Sequence, residues 1–537
     1  MEGRHVADQG NGAMSRSTRA AGRRSAPRAS RSKHRSQRAR TTSKAIGLTL
    51  LSALVPGSGL IMGGRTKLGA FVLTITGGLL LVAAYVGLTQ RNSVLELAVS
   101  PRQLLIATAA VVVLGVLWIW VVVASHKLLR PVTMTYTGRL AGSMFVGLLC
   151  FAIAVPTTVA AQTVMAQRDL VGSVFQSEDN SKSATRPKVD KEDPWAKTPR
   201  LNLLLLGADD GADRTGVRTD TVMVASIDTK TGDTALISLS RNWMRMPFPE
   251  GSPLHKIYPD GYWNPDLGNV EQPEFYLDSM YDNVPKQHPG ALGATDNMGA
   301  DVVKLAAGAA LGLDIDYYMQ INLAGFRKII DAIGGITVNV SYKVPIGGDY
   351  GSGPGTRGAK KPSGYIQPGP NQKLDGYHAL WFARGRYGLS DPSRQERQRC
   401  TIHALVNSVN PATLVTKYQQ IASASKDLLR TDIPQEILPA FIELGMKVKG
   451  AKVANVDLDK RKNFPTGKNP DYSAMQELVE KAIAPKTKPI ASTPSSTTTK
   501  KPGSGTTKKP VKATPTPGAA QDLNDACAYD PTQTGTN

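Results

Sequence analysis

Arg200-Leu201-Asn202-Leu203-Leu204-Leu205-Leu206-Gly207-Ala208-Asp209 is a short apolar run that ends on a glycine and then an acid. A run this short, closed by a turn signal, predicts a buried strand rather than a helix. The same reading places strands at residues 221–227, 234–240, 317–321 and 336–340. An Ala/Gly/Leu-rich run at 300–311 has helical spacing and stops at Gly312, and a helix at 323–333 is stopped by Gly334-Gly335. Helices are predicted at 374–386 and 394–409, with a loop around Leu389-Ser390-Asp391-Pro392 between them. Two more follow at 414–429 and 434–446, then a strand and a closing helix at 474–483. Strands that alternate with helices make this an α/β domain, its central sheet covered by helices.

That domain, residues 200–483, is one part of a 537-residue chain too long for a single core. The formal charge of +21 is concentrated at the ends. Residues 1–44 are crowded with Arg and Lys and hold only Glu2 and Asp8 as acids, which predicts a disordered tail. Residues 45–165 contain four apolar stretches. Those at 68–89, 104–124 and 140–161 have the length needed to cross a hydrocarbon core of about 30 Å. The first, at 45–64, is broken by Pro56, Gly57 and Gly59 and is expected not to span.

Lys/Arg bias gives the direction. The basic tail and the loop with His126, Lys127, Arg130 and Arg139 belong in the cytoplasm, which favours three crossings with the α/β domain outside over four, since four would leave one strongly basic segment on the wrong side. A basic tail beside a hydrophobic span reads as a topology and anionic-lipid signal, not as a nucleic-acid reader. Residues 166–199 are polar and read as a linker, and 484–537 as a low-complexity Thr/Pro/Lys-rich tail. Export would permit a disulfide between Cys400 and Cys527, while Cys150 reads as a small hydrophobe within an apolar stretch.

No common hydrolytic motif is present: there is no G-x-S-x-G, H-E-x-x-H or phosphate loop. Arginine beside acid recurs instead. Gly207-Ala208-Asp209-Asp210-Gly211-Ala212-Asp213 closes the first strand, and Arg218-Thr219-Asp220-Thr221 opens the second. Acids at strand ends suit Mg²⁺, which takes one or two carboxylates and completes its shell with phosphate oxygens. Residue types alone suit a solvated acidic loop equally well. Ser240-Arg241-Asn242 follows the third strand. Arg384-Gly385-Arg386, Asp391, Arg394, Arg397 and Gln398 come later, and guanidinium forks suit a diphosphate.

Taken together, Asn202 to Asp209, Arg218-Thr-Asp220-Thr221, Ser240-Arg241 and Leu374-Asp375-Gly376 through Arg386 resemble the LytR–CpsA–Psr family of cell-wall glycopolymer transferases. Asp391, Arg394, Arg397 and Gln398 continue the resemblance. One departure is Asn242, where many members carry aspartate.

The resemblance implies an extracytoplasmic domain with a central mixed sheet, held by a helical membrane region in the cell membrane. It implies transfer of a glycopolymer from a polyprenyl-diphosphate carrier to peptidoglycan. Carried over, Arg241, Arg384, Arg386 and Gln398 hold the diphosphate, and Asp209 and Asp220 hold Mg²⁺ or Mn²⁺. Asp391 and Arg394, with Arg241, complete the catalytic set. The implied partners are the lipid-linked glycopolymer, peptidoglycan and membrane lipid, with no nucleic acid. An apolar slot for the lipid is expected along residues 302–311 and 326–333, which serve equally well as core. A lipid-diphosphate hydrolase and a non-catalytic envelope sensor are the rival readings. The polymer stays open among teichoic acid, capsule and arabinogalactan, and the Ala/Gly/Arg-rich composition suggests an actinobacterial source.

Overall fold

The computed structural model describes residues 41–89, 100–209, 218–348, 360–408, 429–456, 458, 469–484 and 521–536. Two compact units emerge, one from residues up to Thr76 with Trp120–Leu149, the other from Gly77–Ile119 with Cys150 onward.

In the first unit, α1 (Thr42–Leu54) is capped by Thr41, whose hydroxyl accepts from the Lys44 amide at 3.4 Å. Thirteen residues rise about 20 Å, short of a bilayer core. Pro56 and Gly57 (φ +100°) then break the chain before α2 (Ser58–Met62). A side chain on Gly57 would meet the Gly69 carbonyl at 2.5 Å, so the turn requires glycine for both its φ and its packing. Polar groups inside this unit pair with one another: Ser52 donates to Ser125 at 2.8 Å, and Thr49 Oγ1 lies 3.0 Å from His126 Nδ1. Among the described residues three helices are long and apolar enough to cross a membrane: α3 (Thr66–Thr89), α4 (Pro101–Leu129) and α5 (Tyr136–Val174).

The second unit holds a mixed seven-stranded sheet whose central strands are β1 (Arg200–Asp209), β2 (Arg218–Asp228) and β3 (Thr234–Leu239). Helices α6 (Pro253–Ile257), α7 (Leu277–Gln287) and α8 (Met298–Leu311) follow, then β4 (Tyr317–Asn322) and α9 (Leu323–Ile333). Two small hairpin pairs come next, from β5 (Ile336–Val340), β6 (Val344–Ile346), β7 (Gly364–Ile366) and β8 (Gly369–Leu374). The remainder is α10 (Gly376–Arg384), α11 (Asp391–Ser408), β9 (Leu429–Thr431), α12 (Leu438–Gly450), β10 (Val453–Val456), α13 (Tyr472–Ile483), β11 (Gln521–Asp522) and α14 (Leu523–Ala526). The large sheet runs β11-β10-β3-β2-β1-β4-β9. β1 pairs antiparallel with β2 and parallel with β4, which gives the mixed sheet its character.

Side chains alternate across β1 and so serve two layers. Leu204 and Leu206 join Val222, Val224 and Ile237 in a core closed by α7, α8 and α13. Leu201 joins Met223, Ala225 and Leu236 on the opposite face, with Ile437, Leu438 and Leu444. A strand covered on both faces explains why Leu203 to Leu206 reads as a continuous apolar run.

Four expectations change. The helix foreseen at 374–386 begins at Gly376, because Asp375 accepts from the His378 amide at 2.8 Å and caps it, leaving Leu374 to β8. Most of the helix foreseen at 414–429 lies outside the described residues, and Leu429 itself opens β9. The polar stretch read as a linker is docked on the domain: Ser183 and the Ala184 amide both donate to Asp301 at 3.0 Å, and Trp195 packs edge-on to Phe441. The low-complexity reading of the tail fails for 521–536, where β11 joins the sheet and Cys527 is disulfide-bonded to Cys400.

Beneath the docked stretch, Lys304 and Asp432 form a buried ion pair at 2.7 Å, and Asp432 also accepts from the Tyr318 amide at 2.7 Å. Lys304→Ala would strand that carboxylate in the interior, and breaking such a pair costs about 3–5 kcal/mol. We expect the denaturant midpoint of the variant to fall accordingly; an unchanged midpoint would show that the pair carries no such weight.

Candidate active site

β1, β2 and β3 meet at one end of the sheet, where the C-termini of β1 and β3 flank the N-terminus of β2. The pairing slips here. Gly207 lies opposite Thr221 and Ala208 opposite Thr219, so Asp220 is the extra residue of a bulge. Bulges re-aim side chains, and this one presents the Asp220 carboxylate to Arg241, just past β3. Arg241 Nη1 lies 2.7 Å from Asp220 Oδ1 and 3.5 Å from Asp278 Oδ2.

Arg384 ends α10 and reaches back to Asp209 Oδ2 at 2.5 Å. Gly385 follows, where a side chain would meet the Pro345 carbonyl at 2.4 Å, so the turn carrying Arg384 and Arg386 is tightly confined. Arg394 lies on the second turn's face of α11, 2.9 Å from Asp391 Oδ1, and donates to the Asp220 carbonyl at 3.4 Å. The Nε donors of Arg241 and Arg394 are buried and have no hydrogen-bond partner among the described residues.

The electrostatics favour anions. Burial pushes the Asp220 carboxyl up, but the guanidinium groups of Arg241, Arg394 and Arg384 outweigh it and hold the group below the usual carboxylate range. Arg386 is pulled below its ordinary value by partial burial and by the charges of Arg241 and Arg394, a sign of crowded cations. It remains protonated at any physiological pH.

Next to this cluster opens an apolar cavity of about 460 Å³. Asp220, Arg384, Arg394 and Gln398 form its polar part, while Leu203, Leu205, Phe326, Ile329, Ile402 and Leu405 are among its apolar lining. The cavity takes in part of the stretch expected to line an apolar slot. Phe326 and Ile329 of α9 do line it, but Val302, Val303, Ala306 and Ala310 of α8 are packed into the core on the other face of the sheet. Alternation along β1 separates the two: Leu203 and Leu205 face the cavity, while Leu204 and Leu206 belong to the core, with Leu206 also at the cavity's edge.

The structure therefore brings together Asp209, Asp220, Arg241, Arg384, Arg386, Asp391, Arg394 and Gln398. Asp210, Gly211, Ala212 and Asp213 lie outside the described residues. Two participants escaped the sequence reading. Asp278 in the first turn of α7 is buried, and burial raises its carboxyl above the usual range against the pull of Arg241 and Arg218. Its amide also donates to the Arg241 carbonyl at 3.1 Å, so it fixes the arginine at both ends. Arg397, quoted in the motif without a role, is buried and donates to the Phe382 and Gly385 carbonyls, the latter at 2.6 Å. It holds the turn between Arg384 and Arg386.

Among the described residues no group of three or more His, Cys, Asp or Glu gathers as a metal site. Asp209 and Asp220 on adjacent strands fit a cation that needs only one or two carboxylates and takes its other ligands from a phosphate substrate. Each is held here by an arginine.

Residues 169–484, more than half of the chain, match the model of the LytR_cpsA_psr family. The chain is 29% identical over 240 residues to an Enterococcus faecalis polyisoprenyl-teichoic acid–peptidoglycan teichoic acid transferase, TagU; the match covers 43% of this chain and 61% of that protein. With the Bacillus subtilis TagU the identity is 25% over 264 residues, covering 49% and 68%. A solved LytR-Csp2A-Psr enzyme from Actinomyces oris aligns at 17% identity with a TM-score of 0.34, over 53% of this chain and 90% of that one. The chain thus spans about three fifths of the length of the first of these relatives. A family match of this extent, over the segment that carries the sheet and its arginines, makes this chain a member of the LytR–CpsA–Psr family.

Proposed function

We propose that this protein transfers a glycopolymer from a polyprenyl-diphosphate carrier to peptidoglycan, at the outer face of the cell membrane. The observation that carries the reading is the junction of an arginine cluster with an apolar cavity. Only an amphiphile with an anionic head satisfies both. A lipid tail leaving the bilayer for an apolar cavity keeps its hydrophobic burial, since membrane hydrocarbon is as apolar as leucine. Selection then falls to the head group, and planar guanidinium forks recognise diphosphate bidentately. The relatives named as TagU transferases support the same substrate class.

In this reading Arg241, Arg384, Arg386 and Gln398 hold the diphosphate. An acceptor hydroxyl attacks the glycan-bearing phosphorus, the bridging P–O bond breaks, and prenyl monophosphate leaves. The product is a phosphodiester between glycopolymer and peptidoglycan. The acceptor proton goes to Asp391, the most exposed of the site's paired carboxylates: 33% of its side chain, against 22% for Asp220, 3% for Asp209 and 2% for Asp278. Arg394 holds Asp391 in place at 2.9 Å. Mg²⁺ held by Asp209 and Asp220 would supply charge neutralisation on the phosphate oxygens. Phosphoryl transfer relies on positioning and charge stabilisation more than on covalent help, which suits a site without a nucleophile. The spanning helices and their Lys/Arg bias favour a multi-pass anchor with the α/β domain outside.

The full chain in lipid nanodiscs, given a lipid-diphosphate glycan and peptidoglycan, should place phosphoglycan on the acceptor. Free phosphoglycan with none on the acceptor would favour hydrolysis and sink the transferase reading. Arg384→Ala and Arg386→Ala should each lower kcat/KM by about 10²–10³-fold, the usual cost of one charge-stabilising donor. Chelation should abolish turnover, and Mg²⁺ or Mn²⁺ should restore it. Full activity in excess chelator would remove the metal from the mechanism.

A further inference from the structure

The end of the chain reaches the active site. β11 lies antiparallel beside β10, with Ala454 opposite Asp522 and Asn455 opposite Gln521. Cys527 is then disulfide-bonded to Cys400 on α11, the helix that also carries Arg394, Arg397 and Gln398. At and beyond the disulfide the chain is tied to the domain at Cys527 and Asp530. Asn339 Nδ2 donates to the Cys527 carbonyl at 3.0 Å, and the Asp530 amide donates to Ser341 Oγ at 3.2 Å.

Gly535 makes the decisive contacts. Its carbonyl accepts from the Ser390 amide at 3.0 Å and from the Ser390 hydroxyl at 3.4 Å. Ser390 directly precedes α11 and behaves as its N-cap, with its Oγ accepting from the Ser393 amide at 3.4 Å and its carbonyl accepting from the Arg394 amide at 3.3 Å. Gly535 therefore fixes the capping serine of the helix that presents Asp391 and Arg394.

A second path runs through Tyr342. Gly535 has φ +69°, and a Cβ there would fall 2.6 Å from the Tyr342 ring, so glycine alone lets the chain lie on that ring. The Tyr342 hydroxyl accepts from Arg397 Nε at 3.2 Å and donates to the Ser393 carbonyl at 3.4 Å. Arg397 in turn grips the Phe382 and Gly385 carbonyls around the Arg384–Arg386 turn.

We infer that residues 527–535 form a positioning strap for the active site, fastened by the Cys400–Cys527 disulfide and seated on Ser390 and Tyr342, which sets both the entry of α11 and the arginine turn. Its catalytic consequence rests on the transferase reading; its structural consequence does not. The strap touches no reacting group itself. It acts through Ser390 on Asp391 and Arg394, and through Tyr342 and Arg397 on Arg384 and Arg386.

The test uses the full chain in nanodiscs, as wild type, as a chain ended after Ala528, and as the point variants Gly535→Val and Ser390→Ala. Amide hydrogen exchange is read over residues 385–397 and over β1 to β3, beside turnover with the lipid-diphosphate glycan. The truncated chain keeps the disulfide and β11. The strap predicts at least tenfold faster exchange at 385–397 with β1 to β3 unchanged, and a fall of about tenfold or more in kcat. Ser390→Thr, which keeps the hydroxyl, should restore turnover relative to Ser390→Ala. Wild-type exchange at 385–397 in both the truncated chain and Gly535→Val would overturn the inference. So would equal loosening of β1 to β3 in both, which would make the segment a general fold element. If the wild type shows no transfer, the transferase reading fails, while the exchange measurement still decides the strap.

Discussion

Asp220 is the carboxylate on which the site's cations converge. A cluster of Arg241, Arg384, Arg386 and Arg394 would repel itself if left alone, and each partly buried guanidinium adds a desolvation cost. Asp220 answers three of them at once, which is why its carboxyl stays ionised although burial opposes it. Asp209, Asp278 and Asp391 take the remaining charge in separate pairs, so the free site is nearly balanced by contacts that are individually replaceable. Arg386 has no ion pair among the described residues, and it is the most exposed of the four. In the proposed reaction the arriving diphosphate would meet that arginine first. The other arginines can then share their forks between carboxylate and phosphate, at little cost in reorganisation.

The hollow beside the cluster also demands an explanation. It is large, about 460 Å³, and mostly apolar in its lining, where an ordinary core is close-packed with few voids larger than a water molecule. Failed packing is a poor account of a cavity this large on one face of a sheet whose other face is filled by α7, α8 and α13. The asymmetry is set by residue choice. The α8 face carries Ala306, Ala307 and Ala310 and lies close against the sheet, whereas α9 and α11 present Phe326, Ile329, Ile402 and Leu405 across a gap. In the proposed reaction that gap holds the carrier's tail while its diphosphate lies among the arginines.

How legible this was from the sequence depends on the range of each interaction. The strands were readable because β1 to β3 are short apolar runs closed by Gly, Asp and Arg, a local pattern. The arginine and aspartate residues were readable because they sit at strand and helix ends, where a turn signal brackets them. Asp278 was not, since its partner Arg241 lies 37 positions earlier and the two meet only after α7 docks on the loop past β3. Side-chain periodicity could not assign the α8 run to core or cavity, because helical spacing says which residues share a face but not which sheet face receives them. The polar stretch before β1 misled for a related reason. Its Ser183, Thr185 and Arg186 look solvated by composition, yet they find Asp301 and Asp432 across more than a hundred residues.

That stretch bears on how the membrane anchor is attached. Val171 and Val174, in the last turns of α5, are buried, and Val171 shares a core cluster with Leu201, Ile433 and Ile437. Phe175 packs against the same cluster, and the Gln176 carbonyl accepts from the Gln435 amide at 3.1 Å. The helix thus ends inside the core of the α/β domain rather than at a flexible hinge. The packing of this last helical turn belongs to the α/β domain's own core, as the bulge at Asp220 belongs to its sheet. In the proposed reaction, which would gain its rate from positioning, both features limit the arrangements that must be searched.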